Sequence, residues 1–418
     1  MTTGFISDFV SNGIPIGSTL PLANAVVNFT QNGLEYLRTG NIKSYDASYA
    51  PAMVSAPQLR VFGNLAGSLG SGVGAVTGIG MRYYFIGGNY IVVPSTGASG
   101  SFIFTGTTLA LALAGGSSIA GSNSAFNQTA KPAVNGAMSI VCSHRTANTA
   151  FLYSTDGATM AAVGGVFTTC PVKSALCFGN SSWLALSSLN ATAGEQAYLA
   201  AANPSGAWTI GAGTNIGMTQ ANAVNYGAAL FVAVGASAST TTGLIATCAA
   251  VGGAWTDRTA ASGITFATSE SIVDAVFDGT RHVAITSTGR VITSADGITW
   301  TLSAGFSYET AMTVAVPLLV TDGAGTVIAC PKNPASTLPP VYQMSTDHGA
   351  SWSPFQSFCG SIASQANVQN AISYCNAQWL ENHSGSLASC TNLGASIVTP
   401  NYVGQQYAPT AGQYVRIK

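Results

Sequence analysis

The chain has 418 residues, with 13 Lys and Arg, 14 Asp and Glu, a charged content of 6% and a formal net charge of −1. A surface so neutral must be built from Ser, Thr, Asn, Gln, Gly and Ala; it offers no electrostatic footprint for nucleic acid or an anionic membrane, and neither is an expected partner. Solubility then rests on hydroxyl and amide hydration or on assembly with other chains, which suits a part of something larger.

The first 58 residues carry Pro15, Pro21 and Pro51 between short apolar stretches and lack the repeat that follows, so an extended or irregular arm leaning on a partner is expected over 1–58. Met1 to Asp8 holds no basic residue, the first positive one is Arg38, and no apolar run approaches the roughly 18 residues of a membrane helix. Neither a leader nor membrane insertion is expected.

Beyond the arm two signals alternate. Tight turns at Gly88-Asn89, Asn135-Gly136, Gly179-Asn180, Tyr226-Gly227, Asp278-Gly279, Asp322-Gly323 and Asn376-Ala377 each lie between short apolar runs, the mark of a hairpin. Each is followed by a longer turn whose clearest copy is Ser345-Thr346-Asp347-His348-Gly349-Ala350-Ser351-Trp352. Its Asp can accept backbone N–H groups just beyond it, its Gly supplies a turn conformation, and its Trp buries a flat ring. Shorter copies are Ser294-Ala295-Asp296-Gly297-Ile298-Thr299-Trp300 and Ser154-Thr155-Asp156-Gly157-Ala158-Thr159-Met160, with Met in the aromatic slot. Degenerate copies end at Leu109, Trp208, Trp255 and Ile397. The closing residues are spaced by 51, 48, 47, 45, 52 and 45, a period that suits one four-stranded blade. The expectation is an all-β, seven-bladed β-propeller of four-stranded blades over 59–418. The last strand-like stretch, Tyr414 to Ile417, is expected near the ring closure or against the arm.

The S-x-D-x-G-x-x-W box resembles the Asp-box of sialidases and related propellers, and the shorter S-x-D-G-x-T-W form resembles repeats of bacteriophage structural proteins. The resemblance implies a structural, peripheral role for Asp156, Asp296, Trp300, Asp347 and Trp352. Gly33 to Pro51, with Leu37-Arg38-Thr39-Gly40 and Tyr49-Ala50-Pro51, resembles segments of phage tail-fibre and related virion proteins. That implies a virion location after assembly in the host cytoplasm, attachment to other virion proteins through the arm at Arg38, Tyr45 and Pro51, and a homo-oligomer in the particle.

With the boxes at one face, the loops between second and third strands lie at the other. His144, Arg145, Glu195, Lys332, Glu381 and His383 are the polar handles there, and are the candidates for binding a host surface glycan or protein. The same residues also fit a plain reading, since loops hold the charges that cores cannot. Sialidase chemistry would need three converging Arg, a Tyr nucleophile with a Glu, and an acidic proton donor. Of eight Arg, Arg38 lies in the arm and Arg416 near the end, Arg258 follows a box, and Arg60-Val-Phe is the nearest approach to that family's Arg-Ile-Pro. A non-enzymatic phage protein, tail- or fibre-associated and receptor-binding, is therefore expected; a capsid or collar decoration protein and a glycosidase are the alternatives. Eight Cys without CxxC spacing and four His in separate repeats give no ligand set, so no metal or cofactor is expected, and Cys142, Cys177, Cys330 and Cys375 are expected to behave as small hydrophobes.

Overall fold

The computed structural model describes residues 19–22, 28–31, 34–38, 63–64, 81–94, 104–108, 112, 131–143, 151–163, 174–187, 196–211, 217–237, 242–306, 319–329, 341–353, 356–357, 372–383, 386–390 and 412–416. Their strands form eight antiparallel sheets. Seven are the blades of a propeller, and the eighth joins the two ends of the chain.

Blade five shows why the sequence folds this way. Its strands are Ile272–Phe277, His282–Thr286, Val291–Ser294 and Thr301–Leu302, paired in chain order from the innermost outward. Every residue of the second and third strands is buried, whereas both residues of the fourth are exposed. A strand covered on both faces reads as a continuous apolar run, not an alternating one. Blades lie face against face, so each has two buried sides and one wet outer edge.

The other blades repeat this order. Blade two runs Ala133–Asn135, Ser139–Ser143, Phe151–Ser154, Ala161–Val163; blade three Ser174–Gly179, Ser182–Ser187, Gln196–Leu199, Thr209–Gly211; blade four Met218–Gly227, Leu230–Ser237, Gly243–Cys248, Thr256–Asp257; blade six Leu319–Thr321, Val327–Ala329, Val341–Ser345, Gln356–Ser357. Blade one has three strands among the described residues, Met81–Ile86, Asn89–Pro94 and Phe104–Gly106. Blade seven contributes Ile372–Cys375, Gln378–His383 and Ser386–Cys390, and takes its outermost strand from Gly63–Asn64, upstream of blade one. The degenerate box ending at Ile397 therefore does not introduce that outer strand. The start of the chain supplies it and seals the ring. Innermost strands of successive blades touch from blade two to blade seven, and that of blade seven meets that of blade one.

The expected C-terminal strand, Gly412–Arg416, lies between Thr19–Leu22 and Leu34–Arg38, with Asn28–Gln31 beyond. Tyr414 is paired with Leu20 on one side and Arg38 on the other. Both chain ends thus meet in one sheet apart from the blades.

Apolar clusters fill the seams. Ile86, Ile91 and Val93 of blade one meet Ile140, Leu152 and Met160 of blade two. Val232, Val234 and Ile245 of blade four meet Ile292 and Trp300 of blade five, and Trp352 of blade six packs with Val283 and Val291 of blade five. The aromatic that closes each box therefore faces the preceding blade. Cys177, Cys248 and Cys375 are buried, unpaired thiols, and burial pushes the Cys375 thiol up to about 12.

Four hairpin turns put two successive residues at positive φ, at Gly87-Gly88, Asn180-Ser181, Ala228-Ala229 and Asn376-Ala377. Ala228 and Ala229, at φ 49° and 61°, do so with a Cβ at both positions, which costs about 1–2 kcal/mol per residue in the left-handed region. Both are exposed and close a hairpin between buried strands. Ala228→Asn with Ala229→Gly supplies the residues this turn prefers. The double substitution should stabilise the protein by about 1 kcal/mol, read as a higher urea midpoint at unchanged slope.

Candidate functional site

The boxes sit between third and fourth strands, as self-closed corners. In blade five the Asp296 Oδ1 accepts Ile298 N and Thr299 N, both at 2.8 Å, and Ser294 Oγ at 3.0 Å. Ser294 Oγ accepts Gly297 N at 2.8 Å, and Trp300 Nε1 donates to Gly297 O at 3.3 Å. Blade two repeats this with Asp156, whose second oxygen accepts Thr159 Oγ1 at 2.8 Å. Burial alone would raise the Asp156 carboxyl, but its backbone and hydroxyl donors outweigh that and hold it at about 2. The longer box of blade six fits its extra residue by placing His348 at φ 63°. Asp347 still accepts Ser345 Oγ at 2.7 Å and Ser351 N at 2.9 Å. These carboxylates are committed to the turn, and none is poised for proton transfer.

Each box also touches the blade before it. Asn89 Nδ2 in blade one donates to Asp156 O at 2.8 Å, and Thr105 Oγ1 to Gly157 O. Ala304 N, past the last strand of blade five, donates to Ala350 O at 3.0 Å, beside a bond from Ser303 Oγ to Gly349 O. The boxes are seam fasteners on the face that carries the first hairpin turns.

The opposite face holds the loops between second and third strands. His144, Arg145, Glu195 and Lys332 lie outside the described residues, as do Tyr45 and Pro51 of the arm. Glu381 and His383 belong to the strand Gln378–His383 instead of the loop, where Glu381 is paired with Ile372 and Ala388, and His383 with Ser386. The connection there is confined to 384–385, because the apolar register through Trp379 and Leu380 carries the ladder past both charged positions. Arg38 ends the arm strand Leu34–Arg38. Of the six loop candidates, the described residues include only Glu381 and His383, two positions apart in this one strand.

What the described residues do show on that face is a brace at blade five. Glu270, almost fully buried, accepts Arg290 Nε at 2.7 Å, Arg290 Nη2 at 2.6 Å, Thr288 Oγ1 at 2.5 Å and Ala267 N at 2.9 Å. Arg290 Nη2 also donates to Thr265 O at 2.9 Å, and its guanidinium carbon lies 5.8 Å from the centre of the Phe266 ring. Burial would raise Glu270; Arg290 and the other donors bring it down to about 2. Arg290 is thus turned inward to hold the connection between blades four and five. Arg258 starts that connection, with Nε on Thr247 Oγ1 at 3.0 Å, while Arg281 follows the first hairpin turn of blade five, toward the box face.

The innermost strands carry a second polar assembly that the turn-and-box pattern does not reveal. Asn222 Nδ2 of blade four donates to Ile272 O of blade five at 2.6 Å. Asp274 of blade five accepts Leu319 N of blade six at 2.7 Å and its neighbour Ala275 N at 2.8 Å. Register shifts in both strands, around Asn222 and just before Asp274, re-aim these side chains. Lys131, which leads into the innermost strand of blade two, places Nζ 2.7 Å from both Asp274 oxygens and 3.0 Å from Leu319 O. Blades two and five are on opposite sides of a seven-membered ring, so the lysine stem crosses the central channel. Burial lowers the Lys131 ammonium from its ordinary value, Asp274 opposes that, and Arg82 of blade one adds to it. The signal available in the sequence was the repeated Asn222-Ala223-Val224 and Asp274-Ala275-Val276 at matching distances before the first turn. Among the described residues no group of three or more His, Cys, Asp or Glu could hold a metal ion.

No family model and no curated protein matches the chain. Among solved structures it is similar to YCF48 from Cyanidioschyzon merolae, at 11% identity over 75% of this chain and 95% of that one, with a TM-score of 0.47. The computationally designed Ika8 protein matches at 11% identity over 73% and 81% of the two chains, with a TM-score of 0.45. PorZ, a surface component of the type-IX secretion system of Porphyromonas gingivalis, matches at 11% over 82% and 39%, with a TM-score of 0.46.

The cross-channel pair yields a stability prediction. Lys131→Met leaves the Asp274 charge buried without its cation and should cost about 3 kcal/mol in urea unfolding. Asp274→Asn retains an acceptor for Leu319 N, so the double variant should recover more than about 1 kcal/mol of that loss in a double-mutant cycle.

Proposed function

We propose that this chain is a non-enzymatic structural protein of a bacteriophage virion, tail- or fibre-associated, whose propeller is held by its arm and meets the host surface with its loop face. One observation carries the reading: residues 19–38 and 412–416 build a four-stranded sheet distinct from the seven blades, an element available to hold the propeller on a partner. The neutral composition and the virion-like segments of the arm and boxes agree with it. Hydroxyl- and amide-rich loops suit hydrogen bonding to a glycan. A decorating role on capsid or collar shares the mount and differs only in leaving the loop face unused.

The arm sheet dictates how the proposal is tested. Removing residues 1–58 alone strips Gly412–Arg416 of both neighbours, so residues 398–418 are removed with them, and Gly63–Asn64 is kept to seal blade seven. The trimmed protein should unfold cooperatively and fail to enter particles; normal incorporation would refute attachment through this sheet. For the loop face, particles carrying His144→Ala with Arg145→Ala, or Glu381→Ala with His383→Ala at the end of the strand Gln378–His383 next to that face, should adsorb to host cells less well while the propeller stays folded. Wild-type adsorption by both would favour decoration. Purified protein should release no sugar from sialosides or bacterial polysaccharide, and turnover lost on Glu195→Ala would move the reading to a glycosidase.

A further inference from the structure

We propose that the seam between blades four and five is an acid-release joint, in which protonation of His282 parts these two blades while the seam between blades five and six holds. His282 opens the second strand of blade five and is completely buried. Its Nδ1 lies 2.6 Å from Asn225 Oδ1 on the innermost strand of blade four, so Nδ1 carries the hydrogen and donates across the seam. Nε2 is buried with no hydrogen-bond partner. The Phe277 ring lies 4.8 Å and the Trp300 ring 6.2 Å from the imidazole, centre to centre, and Gly297 and the Val232 side chain close the side of Nε2. A second proton at Nε2 would thus be a charge in an apolar wall, with no acceptor in place.

The charged groups around it do not remove that penalty. Burial pushes the His282 imidazole down to about 4; the Gly227 backbone and the Asp278 and Asp296 carboxylates pull the other way and fall short. Asp278 is already engaged, with Oδ1 accepting Thr280 N at 2.9 Å and Arg281 N at 2.7 Å, and Oδ2 3.0 Å from His348 Nδ1 of blade six. Asp296 is spent on its box. The seam with blade six is spanned by that contact between His348 and the fully buried Asp278. At the seam with blade four, an ordinary histidine released from burial takes up a proton more readily than the buried one. The folded value is depressed, so this contribution is complete above the unfolded value and is lost as pH falls from about 6.5 toward 4. Glu270 and Asp156, held at about 2, keep their contributions through that window.

Hydrogen exchange of the intact protein, compared as protection factors at pH 7 and pH 4.5, tests this. Amides of Met218–Gly227 and His282–Thr286 should lose about 50-fold in protection at pH 4.5, the ratio expected if His282 titrates normally once the seam opens, while Leu319–Ala329 stays protected. His282→Gln, which can still donate to Asn225 and cannot take a proton, should abolish the loss. Equal protection at both pH values, a loss spread evenly round the ring, or a Gln variant as acid-sensitive as the parent would overturn the joint. Nitrogen-15 NMR of the wild-type imidazole provides a reading that needs no variant, and titration of His282 above pH 6 in the folded protein would also overturn it. All these outcomes are independent of what the loop face binds.

Discussion

No blade of this protein can exist alone, because each is apolar on both faces. The second and third strands of blade five have no exposed residue, and its solvent-exposed residues lie in the turns, the box and the outer strand. Burial of such strands contributes on the order of 25 cal/mol per Å² of apolar surface, and the only surface available to bury them is another blade. The ring is the solution in which every face finds a partner. The charged groups described above are arranged so as not to disturb that: boxes close on themselves at the periphery, Glu270 is neutralised by Arg290, and Lys131 ends on a carboxylate.

The box places one large side chain per repeat at the seam and satisfies its own polar atoms locally. Trp300 and Trp352 fill the groove of the preceding blade, and Met160, which lacks a ring, does so with the flexible thioether that suits irregular gaps. The closing aromatic is thus an inter-blade contact more than an intra-blade one. Replacing the Asp would leave one or two backbone N–H groups at an exposed corner to water, a smaller loss than removing the ring beneath it.

Blade number, strand order and box position were legible in the sequence because each depends on local chemistry: a residue that tolerates positive φ, an Asp that folds back on the next N–H groups, an aromatic that closes the turn. What depends on distant parts of the chain was not legible. Gly63–Asn64 carries no strand signal, yet completes blade seven, since so short a strand needs only a backbone ladder to Ala388 and Ser389. Lys131 and Asp274 are 143 residues apart and meet only because the ring closes. Glu381 and His383 read as loop residues on charge alone, and the ladder through Trp379 and Leu380 draws them into a strand. The loop candidates have no such local chemistry behind them, because the residue types at their positions do not define a ligand.

The two-residue closing strand has a mechanical consequence. The chain passes from the arm sheet to Gly63–Asn64 before it enters blade one, so tension applied through the arm reaches the propeller at the outer edge of blade seven, not at its first blade. The ladder to Ala388 and Ser389 would bear that load along the strand direction, while Gly412–Arg416, gripped between two arm strands, draws the other end of the chain to the same anchor. A ring tethered this way is pulled closed where its circumference joins, because the segments leading into and out of it are tied to one sheet.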